Sequence, residues 1–184
     1  HIWIFSIENW RRPGEEIKGL MSLIDEMLQG ELSELHQKGV KINVIGRLSQ
    51  MPNFIQKSFQ DAMELTRSNE SLTLNIALNY GGRAEIVDAV REISRAIKEK
   101  SLSPESINEE IIGKHLYTAN IPDPELFIRT SGELRISNFL LWQIAYAELW
   151  VTPVLWPDFK RKDFLEAIYA FQQRKRRYGG LEED

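Results

Sequence analysis

The chain has 184 residues and 21.4 kDa, enough for one domain with a real hydrophobic core. Hydrophobic residues make up 42% and charged residues 27%, which excludes a disordered, collagen-like or disulfide-stapled chain. Cysteine is absent, excluding thiolate metal sites and cysteine nucleophiles, and 23 basic against 27 acidic residues argue against a cationic nucleic-acid binder. No apolar run reaches the roughly 18 residues of a membrane span, and no signal-peptide pattern is read. The chain opens at His1, inside the apolar run Ile2-Trp3-Ile4-Phe5, and reads as a domain whose beginning has been cut away.

In chain order, residues 2–6 read as a buried strand. Residues 15–38 read as a helix, with Ile17, Leu20, Met21, Ile24, Met27, Leu28, Leu32 and Leu35 near the 3.6-residue period, and Gly39 is placed to end it. A strand follows over 40–45, and a helix over 52–67 with Pro52 in its first turn. A third strand covers 72–78. Residues 83–100 form a helix with the stripe Ile86, Val87, Val90, Ile93 and Ile97. Ser103-Pro104 opens a polar helical stretch to about Leu116. A short strand over 126–129 runs into Thr130-Ser131-Gly132. Residues 138–144 read as a helical turn or two and 146–151 as a strand. A last helix spans 163–177, with Phe164, Leu165, Ile168 and Phe171 inward.

Strands separated by helices imply right-handed βαβ units, hence an α/β fold with a mostly parallel sheet covered by helices on both faces. Five strands are counted, in one domain over 1–184. Ligands of such sheets bind at the carboxyl ends of the strands. That rule selects three segments: Ser6 to Arg12, Asn79 to Arg83, and Arg129 to Ser137. All three are expected on one rim.

The run Arg129-Thr-Ser-Gly-Glu-Leu-Arg135-Ile-Ser137 carries two arginines, small hydroxyls and a glycine in a turn leaving a strand. Guanidinium groups bind phosphate oxygens bidentately, and serine hydroxyls and backbone N–H groups add donors. A salt bridge from Arg129 or Arg135 to Glu133 is the alternative. In Ser6-Ile-Glu-Asn-Trp-Arg-Arg-Pro13, Asn9 is placed to hydrogen-bond a substrate and Arg12 an anion; equally, Asn9 shapes the turn and Trp10 packs in the core. Asn79-Tyr-Gly-Gly-Arg83 is a glycine-rich strand-to-helix turn but neither G-x-G-x-x-G nor a Walker A loop. Glu148 sits in an apolar run, where a carboxylate needs an arginine or a magnesium ion. A magnesium site calls for a second carboxylate, and none stands out. The three histidines, His1, His36 and His115, are too scattered for zinc or a Ser-His-Asp triad. The run Arg174-Lys-Arg-Arg177 reads as a solvated helix end.

Together, Phe5-Ser-Ile-Glu-Asn-Trp-Arg-Arg-Pro13, Leu74-Asn-Ile-Ala-Leu-Asn-Tyr-Gly-Gly-Arg83, the long run from Ile128 to Leu149, Leu155-Trp-Pro-Asp-Phe159 and Arg176-Arg-Tyr-Gly-Gly180 resemble the cis-prenyltransferase family, above all its bacterial undecaprenyl diphosphate synthases. The resemblance spans essentially the whole chain. It implies an enzyme that condenses isopentenyl diphosphate with an allylic diphosphate such as farnesyl diphosphate. The product implied is a long-chain undecaprenyl diphosphate, a lipid carrier for cell-wall synthesis. It implies magnesium as cofactor, a homodimer, no nucleic acid, and a cytoplasmic protein with peripheral membrane contact for product release.

Residue by residue, the resemblance assigns Arg129, Arg135 and Ser137, with Ile136 beside them, to isopentenyl diphosphate. Glu148 matches the magnesium-linked glutamate. Asn9 matches an asparagine proposed as proton acceptor. Ser6, Ile7 and Glu8 match a substrate-contacting segment, extended by Trp10 and Arg12. Leu72 matches the closed end of a hydrophobic product tunnel, and Arg177 and Gly179 an Arg-x-Gly element that reaches the partner's site. The helix from Glu15 is a candidate tunnel wall, though its residues serve equally as core. A neutral amide is a poor base, so Asn9 is expected to orient substrate while diphosphate or another group takes the proton.

Two departures stand out. Ile7 replaces the family's Thr or Ser. The Asp-Gly-Asn-x-Arg-Trp motif of the family's first strand is not in this sequence. The domain is therefore expected to lack its first strand, phosphate loop and first helix, leaving five strands of six and making these 184 residues inactive by themselves. A scaffold-type, non-catalytic subunit and an unrelated phosphate-binding module are the other readings. The set Asn9, Arg129, Arg135, Ser137 and Glu148 argues against a scaffold.

Overall fold

A strand buried along most of its length must be covered on both faces, and β3 (Leu72–Tyr80) meets that condition. Asn75 to Tyr80 are all buried in this computed structural model, which describes residues 1–174. Strands β1 (Ile2–Ser6) and β2 (Val40–Ile45) pair with β3 in parallel, one on each side, giving the order β1-β3-β2. Parallel neighbours require crossovers. These are α1 (Gly14–Gln37) between β1 and β2, and α2 (Asn53–Leu65) between β2 and β3; α3 (Gly82–Lys98) follows β3. The chain divides into two compact units at Ile121/Pro122. The first holds β1–β3, α1–α3 and α4 (Glu109–Lys114). The second holds a parallel pair, β4 (Leu126–Arg129) with β5 (Glu148–Val151), and α5 (Arg161–Gln172).

In the first unit Met21, Ile24 and Leu28 of α1 and Ile55, Phe59 and Ala62 of α2 pack with Phe5, Ile42, Ile76 and Leu78 in one core. Each such side chain other than Ala62 contributes about 1.5–3 kcal/mol by leaving water. Met27, expected on this face, is 58% exposed. Gly46 ends β2 at φ +115, and a Cβ there would lie 2.3 Å from the Leu78 carbonyl oxygen. That close approach sets Arg47 against the end of β3.

Several expected elements differ. The buried line of α3 is Gly82, Glu85, Ala89 and Ile93, while Val87 and Val90 are exposed. The inward face is thus rotated by roughly 80° from the apolar stripe, because small residues and a glutamate beside Ile93 satisfy it. Likewise α5 turns Ala167 inward and leaves Phe164 and Leu165 half exposed. The polar stretch after Ser103 breaks into a 3-10 turn (Pro104–Ser106) and α4, whose first turn is capped by Asn108 accepting from the Ile111 N–H at 2.9 Å. Residues 138–144 form turns, since Ser137, Asn138 and Leu140 have φ of 50, 66 and 48, which no right-handed helix accepts. Strand β5 begins at Glu148, and Tyr146 before it is 77% exposed.

A polar clamp joins the exit of β2 to α3. Arg47 forks onto Asp88 at 2.8 and 2.9 Å, and the Tyr117 hydroxyl donates to the same carboxylate. Hydrogen bonding from Arg47 holds the Asp88 carboxyl below its usual range. Burial, with the bond to Asp88, pushes the Tyr117 phenol up to about 12.

Three substitutions have expected effects on stability. Gly46→Ala lowers stability by about 1–3 kcal/mol from strain at φ +115, whereas Gly30→Ala, in α1 with open space at its Cβ, raises it by about 0.5–1 kcal/mol. Thermal melts check both glycine variants, and a Gly46→Ala variant as stable as the parent contradicts the close approach. The folded pKa of Asp88 lies below its unfolded value, so its contribution is complete above about pH 4 and is lost as pH falls through the folded pKa. Asp88→Asn therefore costs about 1–2 kcal/mol at pH 7, and urea unfolding at pH 3 shows a smaller difference.

Candidate functional site

Because β1 and β3 are parallel, they exit at the same edge, with Ser6 opposite Tyr80. After Ser6 the chain winds into a 3-10 turn, Ile7–Arg11. The Asn9 side-chain oxygen accepts the Ser6 backbone N–H at 2.7 Å. A backbone N–H only donates, so this contact assigns Oδ1 to the turn and leaves the Nδ2 hydrogens for another acceptor. Trp10 stands edge-on to Phe5, with centroids 5.2 Å apart, and its indole N–H donates to Asn79 Oδ1 at 2.8 Å. Asn9 thus shapes the turn and keeps a donor; Trp10 packs on the core while staying 38% exposed. Arg12 pairs with Glu16 in the first turn of α1. Ile7 brings no hydroxyl to this segment, and Glu8 is exposed on the same turn.

The Asn79–Arg83 turn is an anchor rather than an anion cradle. Gly81 is extended, at φ −163. Glu85, fully buried in the first turn of α3, takes the Tyr80 hydroxyl and the Tyr117 N–H, the latter at 2.9 Å. The positive end of the α3 dipole is therefore already answered by a carboxylate of the chain itself. Sequence reasoning missed Glu85, because a glutamate inside an amphipathic helix looks solvated. At the far end of the same strand, Leu72 opens β3 opposite Val40 and is 60% exposed. It lies roughly 26 Å from the Asn79–Tyr80 end at about 3.3 Å per residue.

In the second unit, β4 delivers Arg129 to its exit, level with Val151. The loop is stitched to the exit of β5: the Ser131 N–H donates to Val154 O at 2.9 Å and the Gly132 N–H to Thr152 O at 2.8 Å. Those two N–H groups are spent, so an anion here draws on Arg129, Arg135 and the Ser137 hydroxyl. Arg135 pairs with Glu133, as the salt-bridge alternative expects. Arg129 is half buried and forms no ion pair among the described residues. Ile136 and Ser137 are half buried in the same loop.

Glu148 begins β5 opposite Leu126, three residues short of the Arg129–Val151 level, which is about 10 Å along the strands. Its carboxylate accepts from Arg174 at 2.6 Å. No group of three or more candidate ligands occurs among the described residues. A single carboxylate suits a magnesium ion that arrives with a diphosphate, not a resident cation, since magnesium takes one or two carboxylates plus phosphate oxygens and water. Arg177 and Gly179 lie outside the described residues.

In sequence and fold the chain is similar to known proteins. The family model described as "Putative undecaprenyl diphosphate synthase" matches residues 1–179. The isoprenyl transferase of Heliobacterium mobile is 51% identical over 180 residues, 98% of this chain and 69% of that protein. That of Geobacillus kaustophilus is 48% identical over 98% of this chain and 70% of its own length. Among solved structures, lavandulyl diphosphate synthase from Lavandula x intermedia, in complex with dimethylallyl diphosphate, is similar at a TM-score of 0.94 and 35% identity, over 97% of this chain and 78% of that one. A protein described as a probable undecaprenyl diphosphate synthase from Campylobacter jejuni gives 0.85 and 34%, over 97% and 81%. These matches exclude an unrelated phosphate-binding module: the chain belongs to the undecaprenyl diphosphate synthase family of prenyltransferases and is an enzyme of the cis-prenyltransferase class.

Proposed function

We propose that the chain condenses isopentenyl diphosphate with an allylic diphosphate such as farnesyl diphosphate, adding cis units up to an undecaprenyl-type carrier lipid for cell-wall synthesis. The observation that carries this reading is Arg129, a half-buried guanidinium without an ion pair among the described residues, at the exit of a parallel strand. Taking such a cation out of water is costly unless an anion meets it, and a diphosphate fits its fork. The match over residues 1–179 supports reading 1–184 as one cis-prenyltransferase domain. The neighbour holding dimethylallyl diphosphate supports an allylic substrate.

In this reading Arg129, Arg135 and Ser137 hold the isopentenyl diphosphate, with Arg135 exchanging Glu133 for a phosphate oxygen. Ser6, Ile7, Glu8, Trp10 and Arg12 form the segment that faces substrate around Asn9. The Asn9 amide donates from Nδ2 to a diphosphate oxygen while its oxygen accepts from Ser6; it does not take the proton, because a neutral amide is a poor base. Carbon–carbon bond formation expels diphosphate from the allylic carbon, and the released diphosphate is the base that accepts the isopentenyl proton. Magnesium, when bound with diphosphate, supplies further positive charge against the departing oxygens. Glu148 is the described residue that would hold it, after releasing Arg174. The growing chain runs along β3 beside α1 toward Leu72. Homodimer formation, with Arg177 and Gly179 reaching the partner's site, and peripheral membrane contact in the cytoplasm complete the proposal.

In the full-length chain, radiolabelled isopentenyl diphosphate should be incorporated into farnesyl diphosphate in the presence of magnesium, with undecaprenyl-length product on chromatography. Arg129→Gln should raise the KM for isopentenyl diphosphate about ten- to a hundredfold, from the 1.5–3 kcal/mol of a charged hydrogen bond. Unchanged KM contradicts the assignment, and no incorporation by the intact protein favours a scaffold. Asn9→Ala should lower kcat by about tenfold or more; turnover within about threefold of the parent removes Asn9 from the chemistry.

A further inference from the structure

We propose that Asn79 is a positioning residue that fixes the turn carrying Asn9, and that the Arg47–Asp88–Tyr117 clamp acts through it. The inference rests on the reading of Asn9 given above and assigns a role to the glycine-rich turn after β3 that the diphosphate contacts leave unused.

Asn79 is 1% exposed and sits at φ +49, a conformation asparagine tolerates better than most residues. A buried amide needs partners for both ends. Both of Asn79's go to other segments. Its Oδ1 accepts from the Trp10 indole at 2.8 Å, and its Nδ2 donates to the Arg47 carbonyl at 3.2 Å. Its own carbonyl accepts the Arg47 N–H at 3.3 Å. An indole has one donor, so this bond fixes which way Trp10 faces. Trp10 is the neighbour of Asn9, and the edge-on contact with Phe5 leaves its ring little freedom to turn.

The far side of Asn79 is equally constrained. Gly46 brings Arg47 up to the end of β3, and the fork to Asp88 fixes the Arg47 side chain to α3. A continuous path therefore runs from α3 through Asp88, Arg47 and Asn79 to Trp10. Within the turn itself, the Asn9–Ser6 cap sets only the local shape. The pairing of β1 with β3 brings the turn to this edge, and the path, not the cap, gives it a second anchor there. A shift of about 1 Å in a substrate-facing group can cost on the order of a hundredfold in rate.

The test uses the full-length chain labelled with 5-fluorotryptophan, with the Trp10 19F resonance assigned by Trp10→Phe. Asn79→Gly keeps the positive φ and removes the acceptor. It should move or broaden the Trp10 resonance alone and lower kcat about ten- to a hundredfold, with the KM for isopentenyl diphosphate changed less than about threefold. Trp10→Phe should lower kcat similarly while leaving the melting temperature close to the parent's. The double variant should lose no more than the worse single one, because both break the same link. An unmoved Trp10 resonance, or losses that multiply in the double variant, overturns the proposal. So does a displaced Trp10 with undiminished kcat while Asn9→Ala is impaired, and that result spares the reading of Asn9. Full turnover by Asn9→Ala instead overturns that reading, and the catalytic consequence of Asn79 falls with it.

Discussion

The parallel pairing of β1 with β3 is the constraint on which the first unit depends. Parallel strands exit at one edge, and the register that sets Ser6 opposite Tyr80 makes the loop after β1 and the turn after β3 neighbours. Every polar contact at that edge follows from it: the indole of Trp10 finds Asn79, Asn79 finds Arg47, and Arg47 finds Asp88. Buried amides and forked ion pairs are directional, so the edge is held in one arrangement rather than merely covered. The apolar core below supplies stability without regard to direction; the polar chain supplies position.

The second unit handles charge differently. Arg135 rests on Glu133, and Glu148 on Arg174; the Arg135 side chain is 62% exposed. Pairs this exposed contribute at most about 1 kcal/mol. The proposed exchange of Glu133 for a diphosphate oxygen is therefore inexpensive, while the resting loop is spared an excess of one charge. Arg129 has no such resting partner among the described residues, and in the proposed reading it gives the loop its standing attraction for an anion. The Ser131 and Gly132 N–H groups, bound to the exit of β5, keep the loop on its strand pair.

Much of this was legible in the sequence, for physical reasons. Strands β1, β2 and β4 fall where short apolar runs end in polar or glycine residues, and α1 stops within two residues of Gly39. The inward faces of α3 and α5 were not legible, because, Ile93 apart, the buried positions are glycine, alanine or a hydrogen-bonded glutamate rather than large apolar residues. The turns at 138–144 imitate a helix in composition, and only the positive φ values of Ser137, Asn138 and Leu140 betray them. At the candidate site, residue types and strand ends were readable, and so was the arginine pair. What no local pattern encodes is long-range: Arg47 with Asp88 across 41 residues, Trp10 with Asn79 across 69, and Arg174 with Glu148 across 26.

In the proposed reaction Asn9 serves as an N–H donor to a diphosphate oxygen and not as a base. Comparing kcat of Asn9→Asp with that of Asn9→Ala in the full-length chain tests it directly. An aspartate keeps an oxygen for the Ser6 N–H, so the turn survives, while it replaces the donor by a negative charge and offers a far better base. Asn9→Asp is expected to be slower than Asn9→Ala. An Asn9→Asp variant that matches or exceeds the parent would contradict it and make residue 9 the proton acceptor.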